Sequence, residues 1–145
     1  MTKKIPTPNG SAGMGMSPDG KKVVLADAQE PQIFVVDTAS DEVNSTIRLD
    51  GHDKAAQIAR YSPDGRHLVV TSFEAPLATI FSDDLQSQAL LHLGQGPMDM
   101  AFHEDGETVI IANHNEGSLA VCNLDRGEVV RTVEAGVGIE TLSFF

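Results

Sequence analysis

The chain has 145 residues, 41% of them hydrophobic, and a formal net charge of −11. That length supports one domain able to bury roughly two-thirds of its unfolded surface, and the ordinary apolar content excludes an intrinsically disordered chain. The acidic balance argues against nucleic acid and anionic membrane as partners, because both carry the same sign.

The first residues, Met1-Thr2-Lys3-Lys4-Ile5-Pro6, carry basic side chains without an apolar stretch behind them, so they do not read as a signal peptide. No apolar run approaches the length of a membrane span. The expectation is a cytoplasmic chain, or an exported one seen in its mature form. A first strand ends at Met16 and runs into the turn Ser17-Pro18-Asp19-Gly20. Gly13 and Gly15 on this strand fit close backbone packing better than a phosphate loop, because no helix follows them.

The turn recurs as Ser62-Pro63-Asp64-Gly65 and, more loosely, as His103-Glu104-Asp105-Gly106. Counted from its glycine, each unit aligns without a gap for 17 residues. A period of about 40–45 residues built from strands marks propeller blades. After each turn comes a short Val/Ile-rich run: Lys21 to Asp27, Arg66 to Ser72, Glu107 to Asn113. A second turn holds Glu30-Pro31, Ala75-Pro76 or Glu116-Gly117, and a third strand ends near Asp37, Ser82 or Asn123. A fourth, more polar strand spans Glu42 to Leu49, Gln86 to Leu93 and Glu128 to Glu134. Short β-branched runs bounded by turn residues are strands, and four antiparallel strands per repeat make one blade.

The predicted architecture is therefore all-β: three complete four-stranded antiparallel blades in a single partial propeller domain over residues 1–145. The blades cover about 10–50, 51–94 and 95–135. Orphan strands are expected at both ends. Lys3 to Pro8 falls where the outer strand of a preceding blade would lie. Residues 138–145 align with an inner strand, with Phe144 in register with Met16, Tyr61 and Phe102.

The phrase Ser-Pro-Asp-Gly-Lys-Lys-Val-Val-Leu-Ala-Asp, followed by Ile-Phe-Val-Val-Asp-Thr and by Thr-Ile-Arg-Leu, resembles the YVTN-type β-propeller repeat. Ile110-Ile111-Ala112-Asn113 stands at that family's namesake core. The resemblance covers nearly the whole chain. It implies the propeller fold, and it includes surface-layer-like, lactonase-type and haem-binding nitrite reductase propellers. Members usually close seven or eight blades within one chain, whereas this chain has three.

Motifs that carry chemistry are sparse. No Walker loop, dinucleotide fingerprint, zinc-spaced Cys/His set or nucleophile elbow is present. The single cysteine, Cys122, lies in an apolar strand and reads as a buried small hydrophobe. Propeller topology places the loops that enter the inner strands on the same face as the loops between the second and third strands. Three sets of polar side chains fall there: His52 with Asp53, Phe73 with Glu74, and His114 with Asn115 and Glu116. Imidazole plus carboxylate suits a divalent cation, which makes His52, Asp53, Glu74, His114 and Glu116 the candidate metal ligands. The competing reading of each is a solvated turn. No catalytic residue is predicted.

Three functional readings follow. The first is a non-enzymatic binding or interaction module without cofactor. The second is a lactonase-like, metal-binding or haem-binding propeller with its site at the central funnel. The third is an incomplete ring, a fragment or one that closes by assembly. Three blades leave two blade faces in water, and exposed apolar faces drive association. A homodimer is the expected partner arrangement, with Leu142, Phe144 and Phe145 as a latch strand.

Overall fold

In the computed structural model, which describes residues 3–143, twelve strands form three antiparallel four-stranded sheets. Strands β1 (Ser11–Met16), β2 (Lys22–Asp27), β3 (Gln32–Asp37) and β4 (Glu42–Arg48) make the first. The second holds β5 (Ile58–Tyr61), β6 (His67–Ser72), β7 (Leu77–Ser82) and β8 (Gln88–His92). The third holds β9 (Pro97–Phe102), β10 (Thr108–Asn113), β11 (Ser118–Asn123) and β12 (Glu128–Glu134). Each sheet keeps chain order from inner to outer strand, as a blade does.

The turn between the first two strands is built the same way in sheets one and two. Ser17 Oγ donates to Asp19 Oδ1 at 2.7 Å and accepts from Lys22 N at 3.0 Å. Ser62 Oγ donates to Asp64 Oδ1 at 2.6 Å and accepts from His67 N at 3.0 Å. Asp19 and Asp64 also accept from the backbone two residues on. Gly20 and Gly65 close these turns with φ of 71° and 76°, a conformation that a β-carbon disfavours. The third turn keeps the glycine, but His103 Nδ1 takes the serine's place as an acceptor, from Asp105 N.

The sheets stack face to face through their second and third strands. Val24, Ala26, Ile33 and Val35 of the first pack against Leu68, Val70 and Phe81 of the second in one buried cluster. Val69, Ala78 and Ile80 pack against Val109, Ile111 and Cys122 of the third in another. Strand alternation explains the division: residues at even and odd positions of β2, β6 and β10 face opposite neighbours. The outer strands β4 and β12 are mostly exposed.

The inner strands approach closely. A methyl added at Gly13 would lie 2.8 Å from the Gln57 carbonyl oxygen, and one at Gly15 would lie 2.6 Å from that of Ala59. The glycine-rich β1 therefore sits backbone to backbone on β5, as the sequence pattern suggests.

The ends differ from expectation in part. Residues 3–8 form no strand, yet Ile5 packs on Val23, Leu25, Val36 and Val43 over the free face of the first sheet. Residues 138–143 also form no strand, where an inner strand over 138–145 is expected from the sequence. An inner strand bonds to the second strand of its own sheet, and no such neighbour stands beside these residues. They are held instead by single bonds. Gly138 N donates to His114 O at 3.0 Å, and Leu142 N donates to Asp99 Oδ2 at 3.1 Å. Of the expected latch residues, Leu142 is half-buried, while Phe144 and Phe145 lie outside the described residues.

Candidate functional site

The loop face is organised by one repeat position, the seventh residue after each turn glycine. Asp27, Ser72 and Asn113 occupy it, all buried at the end of a Val/Ile strand. Asp27 accepts from Asn9 Nδ2 at 2.8 Å, Gln32 Nε2 at 2.7 Å and Gln29 N at 2.9 Å. Burial raises the Asp27 carboxyl, but the combined bonds from Asn9, Gln32, Gln29 and Glu30 outweigh it and hold the pKa below the ordinary carboxylate value. Ser72 Oγ donates to Ala55 O at 2.7 Å. Asn113 Nδ2 donates to Ser118 Oγ at 2.9 Å. Asp27 and Ser72 fasten a loop to a strand end, whereas Asn113 bonds across its own hairpin to Ser118 and its Oδ1 has no protein partner.

The predicted ligand residues occupy the loops of this face, and they do not converge. His52 is buried rather than solvated: its Nε2 lies 2.9 Å from Thr79 Oγ1, and its Nδ1 has no protein partner. Burial lowers the His52 pKa from the ordinary histidine value, against a smaller upward pull from Asp53. Asp53 and Glu74 are exposed. His114 is half-buried, with Nδ1 donating to the Ile139 carbonyl at 3.0 Å and its ring tilted 58° against Phe73, centroids 5.9 Å apart. Glu116 Oε2 accepts from Ser118 Oγ at 2.8 Å and lies over Gly94, where a methyl would clash with it.

Among the described residues, no group of three or more His, Cys, Asp or Glu side chains could hold a metal ion. His52 Nε2 is engaged with Thr79, and the His114 ring with Phe73 and Ile139. A cavity of about 340 Å³ is lined by one imidazole and one carboxylate, His92 and Glu116, beside Gly94 and Thr132. Cys122 is fully buried, and burial pushes its thiol up to about 12.

Sequence reasoning missed two features. One is the Asp27, Ser72 and Asn113 set, whose signal was a polar residue at the same place in all three units. The other joins the inner strands of the second and third sheets. Arg60 Nη2 pairs with Asp99 Oδ1 at 2.9 Å, and Arg60 Nη1 donates to Met100 O at 2.9 Å. No local pattern announces a pair 39 residues apart.

On the opposite face, the repeated turns border a polar cavity of about 310 Å³ lined by Asp19, Lys22, Tyr61, Asp64 and Asp83. Burial raises the Asp64 carboxyl, but bonds from Ser62 and Arg66 bring it down to about 2. Burial pushes the Tyr61 phenol up to about 12. Arg66 and His67 bind Asp125 of the third sheet, with His67 Nε2 donating to Asp125 Oδ1 at 2.7 Å. These carboxylates are anchored in turns and ion pairs.

Three stacked antiparallel sheets, with chain order kept from inner to outer strand, define an all-β, propeller-like fold. Among solved structures, the fold is similar to that of Kuenenia stuttgartiensis hydrazine synthase, with a TM-score of 0.79 at 20% sequence identity. The match covers 94% of this chain and 39% of that one. Identity at that level shows the fold alone. No protein-family model matches the chain, and no curated protein matches it. No helix among the described residues is long and apolar enough to cross a membrane.

Proposed function

We propose that this chain is a non-enzymatic interaction module of YVTN-type propeller repeats that completes its ring by binding a second copy of itself. The observation that carries this reading is the pair of open ends. Met14 and Met16 on the first sheet are 64% and 61% exposed, and Val133 on the third is 40% exposed. Inside the chain, the corresponding faces are buried in apolar clusters. An apolar blade face left in water favours association.

The loop-face polar groups support a binding rather than a catalytic role, because they serve mainly to fasten loops. The net charge of −11 disfavours nucleic acid and anionic membrane as partners. The test is the mass in solution by light scattering on a size-exclusion column. A particle of twice 15.4 kDa is expected. A well-folded monomer up to on the order of 100 μM would refute the reading, since an interface of that weakness would fall below the affinity of specific assemblies.

A further inference from the structure

The two outer faces, the first covered in part by Ile5, are the two halves of one interface that the chain already builds twice. Each sheet presents a set of apolar residues to the next one. From the first sheet these are Val24, Ala26, Ile33 and Val35, and from the second Val69, Ala78 and Ile80, with the polar Thr71 standing at the position of Ala26. The third sheet carries Ile110, Ala112, Leu119 and Val121 at the same repeat positions, with no sheet beyond them.

Each sheet also has a receiving set. In the second sheet it is Leu68, Val70 and Phe81, and in the third Val109, Ile111 and Cys122. Val23, Leu25 and Val36 hold those positions in the first sheet, where a cavity of about 320 Å³ is also lined by Ile5, Thr7 and Met14. We infer that the third sheet of one copy docks on the first sheet of a second copy, head to tail. This rests on the assembly reading above and names its surfaces. Two such contacts give a ring of two copies with six complete sheets and two equivalent seams.

The same alignment assigns a role to the ends. Ile5 covers the receiving set of the first sheet, and Ile47 of β4 packs on the matching cluster between the first and second sheets. Residues 138–143 lie beside β9, bound to Asp99 and His114, on the side where a following inner strand would pack. An incoming third sheet brings its own β12 to the place of Ile5, and an incoming β1 takes the place of the tail. Residues 3–8 and 138–143 are therefore covers that leave when the copies join.

The experiment uses charged partners across the seam. Val35 shares an apolar cluster with Leu68, and Ile80 shares one with Val109; the equivalent seam pair is Val121 with Val23. Both are only half-buried and lie outside the two clusters between the sheets, although Val23 packs against Leu25, Phe34 and Val36 beneath Ile5. Val23→Lys alone and Val121→Glu alone each place an unpaired charge in both seams. Each raises the dissociation constant by on the order of a hundredfold or more. Mixing the two variants restores a dimer, because one seam then pairs Lys with Glu and the other is wild type.

Circular dichroism of each variant separates loss of association from loss of folding. A wild-type monomer overturns both this pairing and the assembly reading. A dimer that ignores both substitutions, or that mixing fails to restore, overturns the head-to-tail pairing and leaves assembly by another surface. Deleting residues 138–145 leaves association unchanged or tightens it. Loss of the dimer on that deletion would return the tail to a latch and overturn its assignment as a cover.

Discussion

Replacing Gly15 by alanine tests the close approach of the inner strands. The added methyl would sit 2.6 Å from the Ala59 carbonyl oxygen and 3.0 Å from Arg60 Cα, where ordinary contact begins at 3.4 Å. Both neighbours are backbone, so no flexible side chain can give way. The strands β1 and β5 must part by roughly 0.8 Å, and a gap of that order forfeits a quarter to a half of each dispersion contact across it. Overpacking of this kind costs about 1–3 kcal/mol, offset by about 0.4–1 kcal/mol from the stiffer unfolded chain. The expected net loss is about 1–2 kcal/mol, a fall of about 3–7 °C in Tm for a chain of this length.

Gly10→Ala is the internal control, because nothing lies within 4 Å of its added methyl and its φ is not left-handed. That variant should match wild type or exceed it by up to about 1 kcal/mol, through the stiffer unfolded chain alone. The chain has no tryptophan, so urea unfolding is followed by far-UV circular dichroism. Equal m-values confirm that the change lies in stability. A Gly15→Ala midpoint indistinguishable from wild type would mean that the inner strands are not packed backbone to backbone.

Further outcomes are expected from individual groups. Burial lowers the His52 pKa in the folded state, so the unfolded chain binds the proton first and stability falls as pH drops through about 6.5. The urea midpoint of His52→Gln should lack that part of the decline, and parallel profiles from pH 8 to pH 5 would contradict it. Ser62→Ala removes a buried hydroxyl that bridges Asp64 and His67 N, and should cost about 1–2 kcal/mol in the same unfolding assay. Cys122, buried with its thiol near 12, should resist Ellman's reagent at pH 8 until urea unfolds the chain. Prompt labelling of the native protein would place the thiol elsewhere.

Much of the fold was legible because the repeat fixes local geometry. Asp-Gly turns and Val/Ile runs locate β2, β6 and β10 to within a residue, and the third strands end at Asp37, Ser82 and Asn123 as read. Polar outer strands were harder to bound: the expected Gln86 to Leu93 shrinks to Gln88–His92. The tail from Gly138 carries an inner-strand pattern, yet a strand depends on its neighbour as well as its own residues.

The site was less legible for a related reason. His52 stands among Asp50, Gly51, Asp53 and Lys54, which reads as a solvated turn. Only the folding of that loop onto Thr79 buries it. Arg60 and Asp99 come together solely through the stacking of β5 beside β9. Conversely, the role of Asp27 as a loop fastener was available from its position, because Ser72 and Asn113 repeat it.

The stacking of sheets also sets how the molecule breathes. Among the described residues, only the second sheet has a neighbouring sheet on both faces, while the first and third each have one. In a linear array whose units hold on to their neighbours, opening starts at the ends and the middle unit opens last. Amide protons of β6 and β7 should therefore exchange only with global unfolding. Those of β3 and β11, though paired on both sides within their own sheets, should exchange through cheaper excursions in which one terminal sheet peels away. Docking of a second copy on the outer faces would abolish that difference, so the exchange pattern itself records whether the ring is shut.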